Sequence, residues 1–229
     1  MHKRNKTMKL ALIDFDGTLF STGDFFDEIK KDIQVGLSLP GQVADTALKA
    51  FIFSGEGCNH LKHIEKIKTL YRDLDIGEAK KIFDRSFYTT GRFLYPSVEI
   101  FLGRLKKRSW TLNLVTSGDS VWQKKKIEKT GIKDMFEDIY IVKDPSVKTG
   151  EIKKILNNCG VCFPKDIVLF IDDRPGILEK AKIAIPEINC VQIGHRGVMR
   201  ENRMADSNIA EFCRSFEEVE DFVNKIDKI

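Results

Sequence analysis

The sequence predicts an α/β fold, a doubly wound parallel sheet of Rossmann-like type carrying an inserted α-helical module. Three features lead there. Short apolar runs at Leu10–Ile13, Leu112–Val115, Ile139–Val142, Ile167–Ile171 and Cys190–Ile193 are continuous rather than alternating, as strands covered on both faces are. Helical stripes separate most of them. One long stretch, from about Phe25 to Phe87, has helical patterns and no convincing strand.

The stripes are read from apolar residues three and four apart. Val98, Phe101, Leu102 and Leu105 form one, Ile152, Ile155 and Leu156 a second, and Ile177, Leu178, Ala181 and Ile185 a third. The tail carries Phe212, Phe216, Val219, Val223 and Ile226 on one expected face. In the strandless stretch, Phe26, Ile29 and Ile33 mark a first helix, and Val43, Ala47 and Phe51 a second. Leu61, Ile64, Ile67 and Leu70 mark a third, and Ala79, Ile82 and Phe83 a fourth. Breaks fall at Leu39-Pro40-Gly41, Ser54-Gly55-Glu56-Gly57 and Asp75-Ile76-Gly77. The expected organisation is therefore a core of residues 8–22 and 92–229 with a helical module of residues 23–91, its stripes forming a small core of their own.

Composition narrows the class. At 229 residues, 42% hydrophobic and 31% charged, the chain suits one sizeable core or a core plus a small insert. The net charge of +4 is too small to argue for nucleic acid. The basic clusters Arg104–Arg108 and Lys124–Lys126 are read as solvated helix faces. Five cysteines are an odd, sparse set without a disulfide framework, and Cys159-Gly-Val-Cys162 reads as ordinary loop or packing thiols. Met1–Thr7 reads as a loose polar tail, Leu10–Ile13 is too short for a secretory core, and no apolar run approaches a bilayer's thickness. A cytoplasmic protein without membrane or nucleic-acid partners is the expectation.

The chemistry concentrates at strand ends, where open α/β sheets bind ligands. The first strand runs into Asp14-Phe15-Asp16-Gly17-Thr18. Two carboxylates one residue apart suit a metal-assisted group transfer, one attacking and the other moving a proton. Gly17 and Thr18 are expected to turn backbone amides toward an anion; the alternative is a plain Asx-turn. A later strand ends in Asp172-Asp173. Adjacent acids after a buried run need a cation or donors, and Mg²⁺ prefers such hard oxygen ligands. Asp173 before Arg174-Pro175 also reads as a helix N-cap. Thr116 and Ser117 end another strand with hydroxyls, and Lys148 precedes Thr149, a candidate N-cap.

The series strand-Asp14-x-Asp16-Gly17-Thr18, strand-Thr116, Lys148 and strand-Asp172-Asp173 resembles the haloacid dehalogenase superfamily, over nearly the whole chain from Leu10 onward. The helical insert resembles that family's C1-type cap, as in phosphoglycolate phosphatase and β-phosphoglucomutase relatives, and Tyr95-Pro96-Ser97 resembles the return to the core. The resemblance implies Asp14 as nucleophile and Asp16 as general acid/base whose carbonyl also meets Mg²⁺. It implies Thr116 and Ser117 as phosphate ligands beside Gly17 and Thr18, and Lys148 as the group that neutralises the phosphoryl and Asp14. It implies Asp14, Asp16, Asp172 and Asp173 around Mg²⁺, with either Asp172 alone or both final acids ligating. Lys143 is a rival for the lysine role, but Lys148 stands directly before a helix. Asp16 also argues against dehalogenation, since the family's dehalogenases lack an acid there.

The implied function is a Mg²⁺-dependent phosphatase acting on a small phosphorylated metabolite, as a monomer or weak homodimer. A phosphosugar mutase and a non-catalytic binding module are the alternatives. The segment Phe53–Asn59 is expected to reach toward substrate, with Gly23 and Gly91 as hinge points. His60 and His63 are read as surface or packing residues, and Gly194–Met204 as a connecting loop.

Overall fold

The computed structural model of the protein describes residues 6–43, 45–46, 60–195 and 204–228. All strands of its sheet are parallel: β1 (Lys9–Ile13), β2 (Thr111–Ser117), β3 (Asp138–Val142), β4 (Ile167–Asp172), β5 (Asn189–Ile193) and β6 (Glu211–Cys213). Their order is β3-β2-β1-β4-β5-β6. The chain builds outward from β1 in one direction, then returns to lay β4 on its other side. The switch point therefore lies between β1 and β4, where a crevice opens at the carboxyl ends.

Continuity of the apolar runs has its expected cause. Leu10 and Leu12 of β1 face one layer with Ile152, Ile155, Ile177 and Leu178, from α6 (Lys148–Cys159) and α7 (Pro175–Ala184). Ala11 and Ile13 face the other layer with Phe101, Leu105, Val219 and Val223, from α4 (Val98–Lys107) and α8 (Phe216–Ile226). A strand buried on both faces leaves no polar position to alternate.

The tail differs from the sequence expectation. Phe212 lies in β6, and the helix begins at Phe216. Ser215 accepts a hydrogen bond from the Glu218 amide, while the Glu218 carboxylate accepts one from the Arg214 amide. This capping arrangement starts the helix after Phe212. The four-residue spacing of Phe212 and Phe216 merely mimics a helical stripe. A three-residue edge strand also carries too little pattern to be recognised.

Between β1 and α4 come α1 (Thr22–Gly36), α2 (His60–Leu70), α3 (Ile76–Ser86) and a 3₁₀ segment, Phe87–Phe93. Of the expected second helix, Ala47 and Phe51 lie outside the described residues, as does Phe53–Asn59. The inserted helices do not keep a core apart. Phe25, Ile29, Ile33, Ile64, Ile67, Ile82 and Phe83 join the α4/α8 side of the sheet in one apolar cluster. The junction is aromatic: Phe20 stacks on Phe15 at 5.0 Å, and Phe25 meets Phe20 at 5.3 Å, Phe93 at 5.4 Å and Trp122 at 6.4 Å. Trp122 belongs to α5 (Ser120–Thr130), so this core helix packs against the insert. The two chain crossings are tied together as well. Ser21 donates its amide to the Phe93 carbonyl at 2.7 Å, and Tyr95 donates to Leu19 at 2.9 Å. Neither Gly23 nor Gly91 has a positive φ, so the crossings do not require glycine there.

His63 is a packing residue, buried edge-on against Phe83 at 5.3 Å. Burial lowers its pKa to about 4. The unfolded chain would bind a proton near pH 6.5, so stability should fall as pH drops from 6.5 toward 4. The loss attributable to this ring is roughly 3 kcal/mol at full protonation. Urea unfolding of wild type and His63→Leu between pH 7 and pH 4 should show a shallower decline in the variant; parallel curves would refute the assignment.

Candidate active site

The parallel register between β1 and β4 sets Ile13 against Ile171, and the Asp14 amide extends the ladder by donating to the Ile171 carbonyl at 2.9 Å. Asp14 and Asp172 thus emerge side by side at the switch point. Both are buried, and between them lies the ammonium of Lys148, also fully buried. Its Nζ stands 2.7 Å from Asp14 Oδ1 and 2.8 Å from Asp172 Oδ2. The other Asp172 oxygen accepts the Arg174 amide at 2.9 Å.

The electrostatics follow from burial and charge. Desolvation pushes the Asp14 carboxyl above its ordinary value, Asp172 adds to that, and Lys148 and Arg174 oppose it. Lys148 is also penalised by burial, yet the two flanking carboxylates hold it above the usual lysine range. Arg174, mostly buried, is likewise penalised by desolvation but stays charged under the pull of Asp14, Asp172, Asp173 and Asp16. Sequence reasoning passed over Arg174, whose signal was only its place after two acids.

Asp14, Asp172 and Asp173 each offer an oxygen, and these lie within 4.8 Å of one another. Asp14 Oδ2 is buried without a hydrogen-bond partner among the described residues. An anionic oxygen so placed, beside two further carboxylates, fits a hard cation. Gly17 permits the approach of the two motifs. Its φ is +84°, and a Cβ there would stand 2.3 Å from Asp173 Oδ2.

Several expectations need correction. The amides of Gly17 and Thr18 do not face an open anion site: Gly17 donates to the Phe20 carbonyl at 2.8 Å and Thr18 to Phe15 at 3.3 Å. The tight turn after Asp16 consumes them. What Thr18 presents instead is a buried hydroxyl without a partner among the described residues, while its carbonyl meets His195 Nε2 at 2.8 Å. Asp173 is not the N-cap of α7, a position taken by Arg174, and α6 begins at Lys148 itself, with Val147 as its N-cap. Thr116 is buried at the end of β2 and Ser117 is partly exposed beside it, with the Arg174 guanidinium 3.5 Å from the Ser117 hydroxyl.

The Asp16 carboxylate has a separate setting. Oδ1 accepts from the Thr22 hydroxyl at 2.6 Å, Oδ2 accepts from Gln123 Nε2 at 2.6 Å, and the Lys126 ammonium pairs with Oδ1. Gln123 also donates to the Ser117 carbonyl at 2.8 Å. Lys126 was expected on a solvated face and is buried. Lys124 lies outward, but α5 turns its Trp122, Gln123, Lys126, Ile127 and Thr130 face inward.

The model of the haloacid dehalogenase-like hydrolases matches residues 8–182. The chain belongs to that family. A glyceraldehyde 3-phosphate phosphatase of Methanocaldococcus jannaschii is 26% identical over 148 residues, which span 58% of this chain and 61% of the relative, less than two thirds of its length. A haloacid dehalogenase-like family hydrolase from Xanthomonas campestris superposes with a TM-score of 0.64 at 16% identity, covering 100% of this chain and 95% of that one. The L-2-haloacid dehalogenase of Xanthobacter autotrophicus gives 0.65 at 14% identity, covering 95% and 99%. At such identities the structures share the fold alone. Among the described residues, no helix of this hydrolase is long and apolar enough to cross a membrane.

Removing Lys148 should expose the cost of the cluster. In Lys148→Met, two buried carboxylates lose their cation, an effect of about 3–5 kcal/mol. Asp14, already raised above 3.8, can relieve part of this by taking up a proton. The deficit in metal-free urea unfolding should therefore be largest near neutral pH and shrink on acidification toward the carboxylate range. A deficit that grows on acidification would contradict this account.

Proposed function

We propose that this chain is a Mg²⁺-dependent phosphatase that hydrolyses a small phosphomonoester through a phosphoaspartyl intermediate on Asp14. The observation carrying this reading is the pairing of two differently held acids two residues apart. Asp14 sits against Lys148 beside the metal-type cluster, and Asp16 is held by Thr22, Gln123 and Lys126. Ester cleavage needs such a division between nucleophile and proton carrier. The partial likeness to a glyceraldehyde 3-phosphate phosphatase favours phosphate esters as substrates over halogenated acids.

In this reading an oxygen of Asp14 attacks phosphorus, the ester P–O bond breaks, and Asp16 gives its proton to the departing alkoxide. Water then attacks the aspartyl phosphate, its proton passing to the Asp16 carboxylate, and inorganic phosphate leaves Asp14 regenerated. Lys148 and Arg174 oppose the burial that raises the Asp14 carboxyl, and would offset charge on the transferring group. Thr116, Ser117 and the Thr18 hydroxyl would donate to its oxygens. Mg²⁺, held by Asp14, Asp172 and Asp173 with the Asp16 carbonyl, would supply further neutralisation of phosphoryl charge.

With p-nitrophenyl phosphate, activity should require Mg²⁺ and vanish on exhaustive chelation. Asp14→Asn should lower kcat at least about 10³-fold without unfolding the protein. Asp172→Ala should raise the Mg²⁺ concentration for half-maximal rate by at least about tenfold. Full activity in chelator, or an Asp14→Asn variant within about tenfold of wild type, would overturn the proposal. Transfer of the phosphoryl to a sugar acceptor instead of water would identify a mutase.

A further inference from the structure

A wholly buried ammonium has to be explained, and α5 carries one. Lys126 is 1% exposed, and Asp16 is its carboxylate partner among the described residues. The ammonium also lies 5.2 Å from the centre of the Phe15 ring and 5.0 Å from that of Phe20. Both rings flank Asp16 in the chain, so the pair sits under an aromatic roof that excludes water. An ammonium buried this way costs several kcal/mol unless a carboxylate stays with it.

We infer that Lys126 is a positioning residue, which grips Asp16 by Oδ1 and so leaves Oδ2 to carry the proton given to the leaving alkoxide. This rests on the phosphatase reading. An aspartate at the end of a strand has two rotatable side-chain bonds, and Thr22 and Gln123 offer it only neutral donors. Were Asp16 to rotate away, those two would lose a hydrogen bond each, whereas Lys126 would be left charged and unpaired in an apolar site. The lysine therefore makes every other Asp16 rotamer expensive. The helix that bears it also meets the inserted segment, through Trp122 on Phe25 and Phe83 and through Lys125 paired with Asp84 at 2.6 Å. The acid is thus held by the same helix that supports the insert.

The test is the dependence of the first chemical step on leaving-group quality. The ratio of kcat/KM for p-nitrophenyl phosphate to that for a simple alkyl phosphate reads the need for a proton donor, because nitrophenolate departs unaided and an alkoxide does not. In Lys126→Met this ratio should rise by about tenfold or more, since general acid catalysis contributes about 10²–10⁴-fold when the donor is in place. Asp16→Asn should raise the ratio further, and adding Lys126→Met to Asp16→Asn should not change it. That double variant removes both charges, so it also serves if Lys126→Met alone folds poorly. A crystal structure of Lys126→Met should show the Asp16 carboxylate turned from Gln123.

Equal losses for both esters, an unchanged ratio, or an additive effect in the double variant would overturn the inference. A wild type that cleaves neither ester would overturn the phosphatase reading instead.

Discussion

Everything at the catalytic end depends on the Lys148 ammonium between two buried carboxylates. Asp14 and Asp172 are brought together by the β1–β4 register, and a buried carboxylate there is costly without a partner. Lys148 joins them at 2.7 and 2.8 Å from the first residue of α6. That helix packs Ile152 and Ile155 on the far side of the sheet, so core packing sets the depth of the ammonium. The cation in turn permits a carboxylate to sit at a dry strand end.

A second buried ammonium, Lys126, holds the other acid of the same loop. Lys148 faces the sheet and the metal-type cluster, while Lys126 faces the aromatic junction with the insert. The intervening turn uses its amides internally and relies on Gly17 to pass Asp173. One short loop therefore presents two carboxylates to two different environments without separating them in the sequence.

The sheet was legible because parallel strands buried on both faces must be apolar throughout, and the acids were legible because carboxylates at such ends are costly without a partner. The donors were not. Gln123 and Lys126 belong to a helix rich in lysine, and charge suggested a solvated face. The usable signal was spacing: Trp122, Lys126 and Thr130 fall four apart, which places the lysine on the aromatic stripe. Arg174 was hidden differently, since its part depends on burial and on acids from other strands. The amides of Gly17 and Thr18 could not be read at all from residue type, because their partners are set by how tightly the turn closes. The final strand was obscured by Phe212, whose distance from Phe216 suits a helix as well as the break that Ser215 makes.

The tie between the two chain crossings makes the insertion point a socket. Leu19, Ser21, Phe93 and Tyr95 hold the entering and leaving strands side by side, roughly 5 Å apart as paired strands are. To the sheet, the 71 residues between Ser21 and Phe93 look like one long hairpin loop. The fold thus runs its candidate acids and its insert through one small joint: Asp16 accepts from Thr22 at the start of α1 and from Gln123 of α5, the helix whose Trp122 meets the insert.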